Sequence, residues 1–328
     1  MKIKMISSMI GVVGGGSWAT ALVKVLLEKA GVQVMWWVRS SEAADAINAS
    51  GRNPRHLRDV VLDRGRVVAT TDLASVVSRC EVLLVAVPSV CVHEVFSGLP
   101  QGCMKGSVVA SAVKGYLPET GRSVTSFFVD CMGVEAGNVC VVSGPSHAEE
   151  VACGQCTFLE VASPSRATAL KVADALRCGY IHVEVSDRVS TLELCGLAKN
   201  VYAVAAGMLA GLGHGDNLTA VLVAAAAKEM CGLHGDAMSS FATLGDLAVT
   251  CFSRHSRNRR LGEAVACGRA AGGFSAEGGM VAEGYYASLV LHGLAAGAGM
   301  PVAEAVYRVL HCGASAEREM NGLIDNVF

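Results

Sequence analysis

Three consecutive glycines, Gly14 to Gly16, separate a short apolar run, Ile10–Val13, from a segment with helical spacing, Trp18–Ala30. That order, apolar strand then glycine turn then helix, constrains the fold more than any other feature of the chain. The first run shows no polar alternation, as expected of a strand buried on both faces. In the following segment Ala21, Leu22, Val25 and Leu26 fall on one helical face. Gly14, Gly16 and Ala19 complete the pattern G-x-G-x-x-A. The first glycine permits a tight turn and the second removes a side chain where a pyrophosphate must approach. The small third residue lets helix and strand pack closely. The N–H groups and dipole at the helix start favour phosphate. The loop therefore predicts a dinucleotide site.

The alternation continues beyond the loop. Val32–Val38, Val82–Val87, Val108–Ser111 and Val139–Ser143 read as strands, and Phe158–Ala162 and Ile181–Val185 as strands added at an edge. Continuous apolar strands between helices predict an α/β fold, a parallel sheet covered on both faces. After about Asp187 the texture changes. Leu192–Leu212, Leu218–Leu233, Ser256–Cys267, Tyr285–Ala298 and Val302–Leu310 read as helices. The expected plan is a nucleotide-binding domain over 1–187 and an all-α domain over 188–328. The length of 328 residues agrees, since single cores rarely grow past about 250–300 residues.

Composition narrows the partners. Hydrophobic residues make up 52% of the chain and charged residues 17%, which argues against disorder. The net charge is −2 with no strong block of either sign, so nucleic acid and anionic membrane are not expected partners. The thirteen cysteines are scattered, and several, such as Cys80, Cys140 and Cys195, sit in apolar runs. Free thiols in a reducing cytosol fit that pattern better than disulfides. The one C-x-x-C, Cys153 to Cys156, lacks the second pair that a zinc site needs, and no metal is expected. Lys2 and Lys4 before an apolar run imitate a signal peptide, but the run ends in glycines rather than a cleavage site. The longest apolar stretch, Val201–Gly213, is shorter than the ~20 residues of a bilayer span. The expectation is a cytoplasmic protein with no integral membrane association.

The end of the second strand bears on the type of dinucleotide. NAD sites usually carry Asp or Glu there to hold the ribose hydroxyls. Here the strand ends Val38-Arg39-Ser40-Ser41, with no acid before Glu42. Arg39 and the serines suit the extra phosphate of NADP. The alternative is a solvated Arg39 stacked on adenine. NADP is favoured over NAD.

Substrate chemistry is expected beyond the carboxyl ends of the strands. Lys114-Gly115 follows the strand Val108–Ser111, and Ser143-Gly144-Pro145-Ser146 follows Val139. Lys199 is the most unusual position. Between Val189 and Met208 the only charged residues are Glu193 and Lys199. A helix apolar nearly all round is usually buried. A buried lysine has a depressed pKa and suits proton exchange near neutral pH. The alternative is a stem that snorkels to the surface. Asp246, in Leu244-Gly245-Asp246-Leu247, is a candidate partner for Lys199. Ser256-Arg257-Asn258 at a helix start suits an anion, the alternative being a solvated basic patch. Glu283 is a further acid in an apolar region.

Together these segments resemble the bacterial NAD(P)-dependent glycerol-3-phosphate dehydrogenase family. The resemblance runs from Ile10 to about Cys312. Its motifs here are GGGSWATAL (14–22), VPS (87–89), VKG (113–115), SGPSHAEE (143–150), KNVYA (199–203), LGDLAVTC (244–251), SRNRRLG (256–262) and VAEGY (281–285). The resemblance implies an N-terminal Rossmann-type doubly wound sheet with a C-terminal all-α domain, usually as a homodimer. It implies reversible hydride transfer between NAD(P)H and dihydroxyacetone phosphate, giving sn-glycerol 3-phosphate for phospholipid synthesis. By position, Lys199 matches the proton acceptor and Lys114 the lysine touching cofactor and substrate. Gly144, Ser146, Asp246, Ser256, Arg257 and Asn258 match substrate contacts. Gly14 and Gly16 of the loop are joined by Ser17, Trp18, Arg39, Ala148, Arg257, Val281 and Glu283 as matches to cofactor contacts.

The chain departs from the family pattern at three places. Ala224-Ala225-Ala226 stands where Thr-Arg-Gly is frequent, the loop 232–239 is shortened, and His147 stands where Phe or Tyr is common. None is a proposed catalytic position. Two other readings remain at this level. One is a related reductase of another small phosphorylated or carboxylated ketone, against which the Ser256–Asn258 anion site argues where phosphate is lacking. The other is a non-catalytic NAD(P) sensor, which would need neither Lys114 nor Lys199.

Overall fold

A computed structural model describes residues 8–269 and 282–328. Eight strands form the main sheet: β1 (Ser8–Val13), β2 (Val32–Trp37), β3 (Val67–Thr70), β4 (Val82–Val85), β5 (Val108–Ser111), β8 (Val139–Ser143), β9 (Thr157–Ala162) and β10 (Ile181–Ser186). A small antiparallel ribbon, β6 (Tyr116–Leu117) and β7 (Arg122–Ser123), stands apart. The sheet order is β10-β9-β8-β5-β4-β1-β2-β3. It reverses direction on either side of β1, which is the arrangement of a doubly wound sheet.

Helices α1 (Ser17–Leu27), α2 (Ser41–Ser50), α3 (Leu73–Arg79), α4 (Val92–Phe96), α5 (Val124–Asp130), α6 (Ala148–Ala152) and α7 (Arg166–Leu176) connect the strands. Successive strand residues serve opposite faces. Val12 and Leu84 join a core with Leu22, Leu26 and Trp36. Val13 and Leu83 join the other, with Phe96 and Phe128. Both layers are apolar, so the strands read as unbroken apolar runs.

Two details differ from the sequence expectation. The strand β3 (Val67–Thr70) is absent from the sequence expectation, yet it pairs in parallel with β2 at the edge of the sheet. The added strands lie at the expected edge, but β9 runs antiparallel to β8. The reason is the length of α6. Five helical residues rise only about 7.5 Å, too little to carry the chain back along a strand. Consequently β9 starts at the end where β8 finishes.

From Val189 the chain is helical: α8 (Val189–Gly211), α9 (Asp216–Leu233), α10 (Asp246–Phe252), α11 (Arg257–Ala266), α12 (Glu283–Leu294), α13 (Pro301–His311) and α14 (Ala316–Asn326). The central element is α8, whose residues from Thr191 to Leu209 are all buried. It is long and apolar enough to cross a bilayer, but 89% of its most apolar window is buried inside the protein. Each fully buried Leu, Val or Met in it contributes roughly 1.5–3 kcal/mol.

Helix α11 crosses α8 at very close range. A Cβ on Gly262 would fall 2.0 Å from the Val204 carbonyl oxygen. Glycine there permits a backbone-to-backbone approach that no side chain would allow. This contact sets Ser256–Asn258, at the start of α11, over the middle of α8.

Candidate functional site

The glycine loop is built as its sequence suggests. Gly14 has φ +133°, and a Cβ on it would lie 2.5 Å from the Ala86 carbonyl oxygen. A Cβ on Gly16 would meet no protein atom within 4 Å, so this side of the loop faces open space. Gly16 is the N-cap of α1 and supplies no side-chain cap. The first N–H groups of the helix are therefore available to an anion. Ala19 is fully buried. Asn53 braces the loop from behind, donating to the Gly15 carbonyl at 3.0 Å and to Thr20 Oγ1 at 2.8 Å.

A dinucleotide fits this cradle on a separate observation. Trp18 Nε1 is buried and has no hydrogen-bond partner among the described residues, and buried indole N–H groups normally have one. Ser17 Oγ lies 3.4 Å from His56 Nδ1. Arg39 is exposed just beyond the end of β2.

The centre of the site lies where α8, α10 and the loop after β5 meet. Asp246 opens α10, and its two carboxylate oxygens take different ammonium groups. Lys199 Nζ donates to Oδ1 at 2.5 Å and Lys114 Nζ to Oδ2 at 3.0 Å. Lys199 is 6% exposed and Asp246 3%, so Lys199 does not snorkel. Thr250, one turn along α10, accepts from Lys199 Nζ at 3.2 Å and donates to the Asp246 carbonyl. Burial pulls the Lys199 pKa down to about 7, with Lys114 adding repulsion and Asp246 opposing both. For Asp246 burial pushes upward, but Lys114 and Lys199 together outweigh it and hold the carboxyl below its ordinary range.

Of the other predicted positions, Gly144 and Ser146 meet this group directly and Asn258 is linked to it through Asn200. Lys114 Nζ also donates to the Gly144 carbonyl at 2.9 Å and approaches Ser146 Oγ at 3.4 Å. Ser256 caps α11 by accepting from Arg259 N–H. Asn258 is held by the protein itself: its Nδ2 donates to Asn200 Oδ1 at 2.7 Å and its Oδ1 accepts from Gly284 N–H at 2.9 Å. Asn200 in turn donates to the Lys114 carbonyl at 2.7 Å. Arg257 is exposed, and its charge reaches both His56 and Glu283. Glu283 accepts from Ser89 N–H at 2.9 Å and from Ser89 Oγ at 2.5 Å. Burial nonetheless raises its pKa. Ala148 begins α6, which packs on α1 beside the glycine loop. Val281 lies outside the described residues.

Sequence reasoning overlooked Asn53, His56, Ser89, Asn200 and Thr250. Two of them carried a usable signal. Thr250 is four residues after Asp246 on one helix, the spacing of facing side chains. Ser89 follows a strand end at Pro88, where ligands gather in such sheets. Asn200 points to the Lys114 carbonyl, a contact that exists only after folding.

A glycine loop at the carboxyl edge of a doubly wound sheet, beside a Lys–Asp–Lys group in which a loop lysine meets a buried helical Lys–Asp pair, defines a dinucleotide-dependent oxidoreductase. The matches to known proteins specify it. Residues 9–169 match the model of the NAD-dependent glycerol-3-phosphate dehydrogenase N-terminus, and residues 188–321 match that of its C-terminus. The chain belongs to the NAD-dependent glycerol-3-phosphate dehydrogenase family. It is 36% identical over 325 residues to the glycerol-3-phosphate dehydrogenase [NAD(P)+] of Chlorobium limicola, covering 96% of this chain and 97% of that one. A second such protein, from Salinibacter ruber, is 38% identical over 313 residues, covering 93% and 90%. The crystal structure of glycerol-3-phosphate dehydrogenase from Coxiella burnetii superposes with a TM-score of 0.88 at 30% identity, covering 98% of this chain and 99% of that one.

Proposed function

We propose that this protein catalyses reversible reduction of dihydroxyacetone phosphate to sn-glycerol 3-phosphate with NADPH or NADH, supplying phospholipid synthesis. The observation that carries the reading is the shared carboxylate of Asp246, which holds Lys199 and Lys114 together beside Gly144 and Ser146. A nicotinamide dinucleotide held at the Gly14–Gly16 loop would supply hydride to, or receive it from, the substrate's central carbon. The chain's own residues do the rest. Lys199 gives its proton to the carbonyl oxygen during reduction and takes it back during oxidation. Lys114 aligns that oxygen and stabilises the negative charge that develops on it. Asp246 keeps both ammonium groups in place and offsets part of the cost of burying them.

Substrate contacts fall to Gly144, Ser146, Ser256, Arg257 and Asn258, with the phosphate against the start of α11, where N–H groups and Arg257 favour an anion. Cofactor contacts fall to Gly14, Gly16, Ser17, Trp18, Arg39, Lys114, Ala148, Arg257, Val281 and Glu283. NADP is the favoured form, because Arg39 and not an acid follows β2. A homodimer in the cytoplasm, each chain divided into domains 1–187 and 188–328, completes the reading. The test is a paired assay of purified protein with dihydroxyacetone phosphate and either NADH or NADPH. Oxidation of NADPH is expected, and no turnover with either cofactor would overturn the proposal.

A further inference from the structure

His147 belongs to neither group of contacts above, yet it sits among them. It is the N-cap of α6, between Ser146 and Ala148, and its side chain does not cap the helix. Its Nε2 is buried and has no hydrogen-bond partner among the described residues, a property it shares only with Trp18 Nε1. A buried ring nitrogen left unpaired is costly, and such an atom calls for a hydrogen-bond partner.

The surroundings of the ring indicate what that partner is. Lys199 and Lys114 lie close enough to act on its charge. On another side its ring faces that of His255, with centroids 6.0 Å apart and planes tilted by 56°. His255 immediately precedes Ser256-Arg257-Asn258. His147 thus lies within electrostatic reach of the two lysines and near the residue that precedes Ser256. Burial, with Lys199 and Lys114 next in size, lowers its pKa, so the imidazole is neutral near pH 7 and keeps one N–H to donate.

We propose that His147 is a specificity-determining substrate contact, donating a hydrogen bond from Nε2 to an oxygen of the substrate's phosphoryl group. The inference rests on the proposed phosphorylated substrate. An aromatic hydrocarbon at this position fills the same space and offers no donor. The imidazole therefore adds one directed contact to phosphate without adding a charge beside the lysines.

The experiment compares wild type, His147→Phe and His147→Gln in steady-state kinetics, with inorganic phosphate as a competitive inhibitor. Phenylalanine preserves the ring volume, and the glutamine amide nitrogen approximates Nε2. Losing a hydrogen bond to a charged group predicts that His147→Phe raises KM for dihydroxyacetone phosphate by roughly tenfold or more. The phosphate inhibition constant should weaken in parallel, while KM for NADPH, kcat and the thermal midpoint stay near wild type. His147→Gln should recover most of the loss. The inference is overturned if KM for dihydroxyacetone phosphate does not change, if phosphate inhibition does not follow it, or if KM for NADPH moves instead. Wild-type inactivity on dihydroxyacetone phosphate would be a separate result, counting against the proposed function.

Discussion

Lys199 Nζ lies 2.5 Å from Asp246 Oδ1, and the other oxygen of the same carboxylate holds Lys114. A single negative charge therefore faces two ammonium groups, with Lys199 and Asp246 buried and Lys114 partly exposed. The pairing leaves a net positive charge on the group, which suits a step that develops negative charge on a substrate oxygen.

Replacing Asp246 by Asn keeps the shape and removes the charge. Without it Lys199 and Lys114 repel each other, and Lys199 loses its proton more readily. Turnover should fall by roughly 10²–10³-fold, as when a preorganised electrostatic group is removed. Cofactor binding, read by fluorescence titration, should persist. Lys199→Ala should likewise abolish turnover and retain cofactor binding. A turnover number for either variant within a few-fold of wild type would remove that residue from its role.

The Lys199 pKa of about 7 gives the two directions opposite pH dependences. Reduction needs the protonated amine, so its rate should be full at acidic pH and decline as pH rises through about 7. Oxidation needs the free amine and should rise over the same interval. The pH profiles of kcat/KM in both directions, which report groups of the free enzyme, test this. Profiles moving in the same direction would refute the assignment.

Arg39 is exposed at the end of β2, where it can meet the additional phosphate of NADP. Exchanging it for Asp removes a charge-assisted contact and introduces repulsion. The preference for NADPH over NADH, measured as a ratio of kcat/KM values, should fall by about tenfold or more. An unchanged ratio would show that Arg39 does not select the cofactor.

Gly262 tests the packing that holds the site together. In Gly262→Ala the new methyl group would meet the Val204 carbonyl oxygen at 2.0 Å. Helices α8 and α11 must then separate, at a cost of about 3 kcal/mol. The urea midpoint should fall accordingly. Substrate KM should rise as well, because Ser256 and Arg257 move with α11. A stable variant would mean that this crossing relaxes without strain.

Much of the fold was legible because its signals are local. Buried strands are short apolar runs, and Ile10–Val13, Val82–Val85 and Val139–Ser143 lie where those runs predict. The strand Val67–Thr70 is absent from the sequence expectation, although its Val-Val-Ala run is the same as that of Val108–Ser111; its place at the sheet edge beside β2 appears only in the fold. The antiparallel turn into β9 was not legible, since it depends on the length of α6. At the site, Lys199 stood out as a charge in an apolar helix. Its choice between core and surface did not, because helical spacing alone does not say what surrounds α8.

By itself the sequence determined the alternation of strands and helices, the phosphate-binding shape of Gly14–Gly16 and the set of side chains able to do the chemistry. Those depend on interactions between residues a few positions apart. Only the tertiary structure decided which of the side chains meet. Lys199 and Asp246 are 47 residues apart and Lys114 and Asp246 are 132 apart. Their contact exists because α10, α8 and the sheet edge are packed together by apolar burial. The same packing buries Lys199 and Asp246, and that burial brings the Lys199 pKa down to about 7. It also leaves His147 Nε2 without a partner among the described residues. Neither property can be read from local spacing.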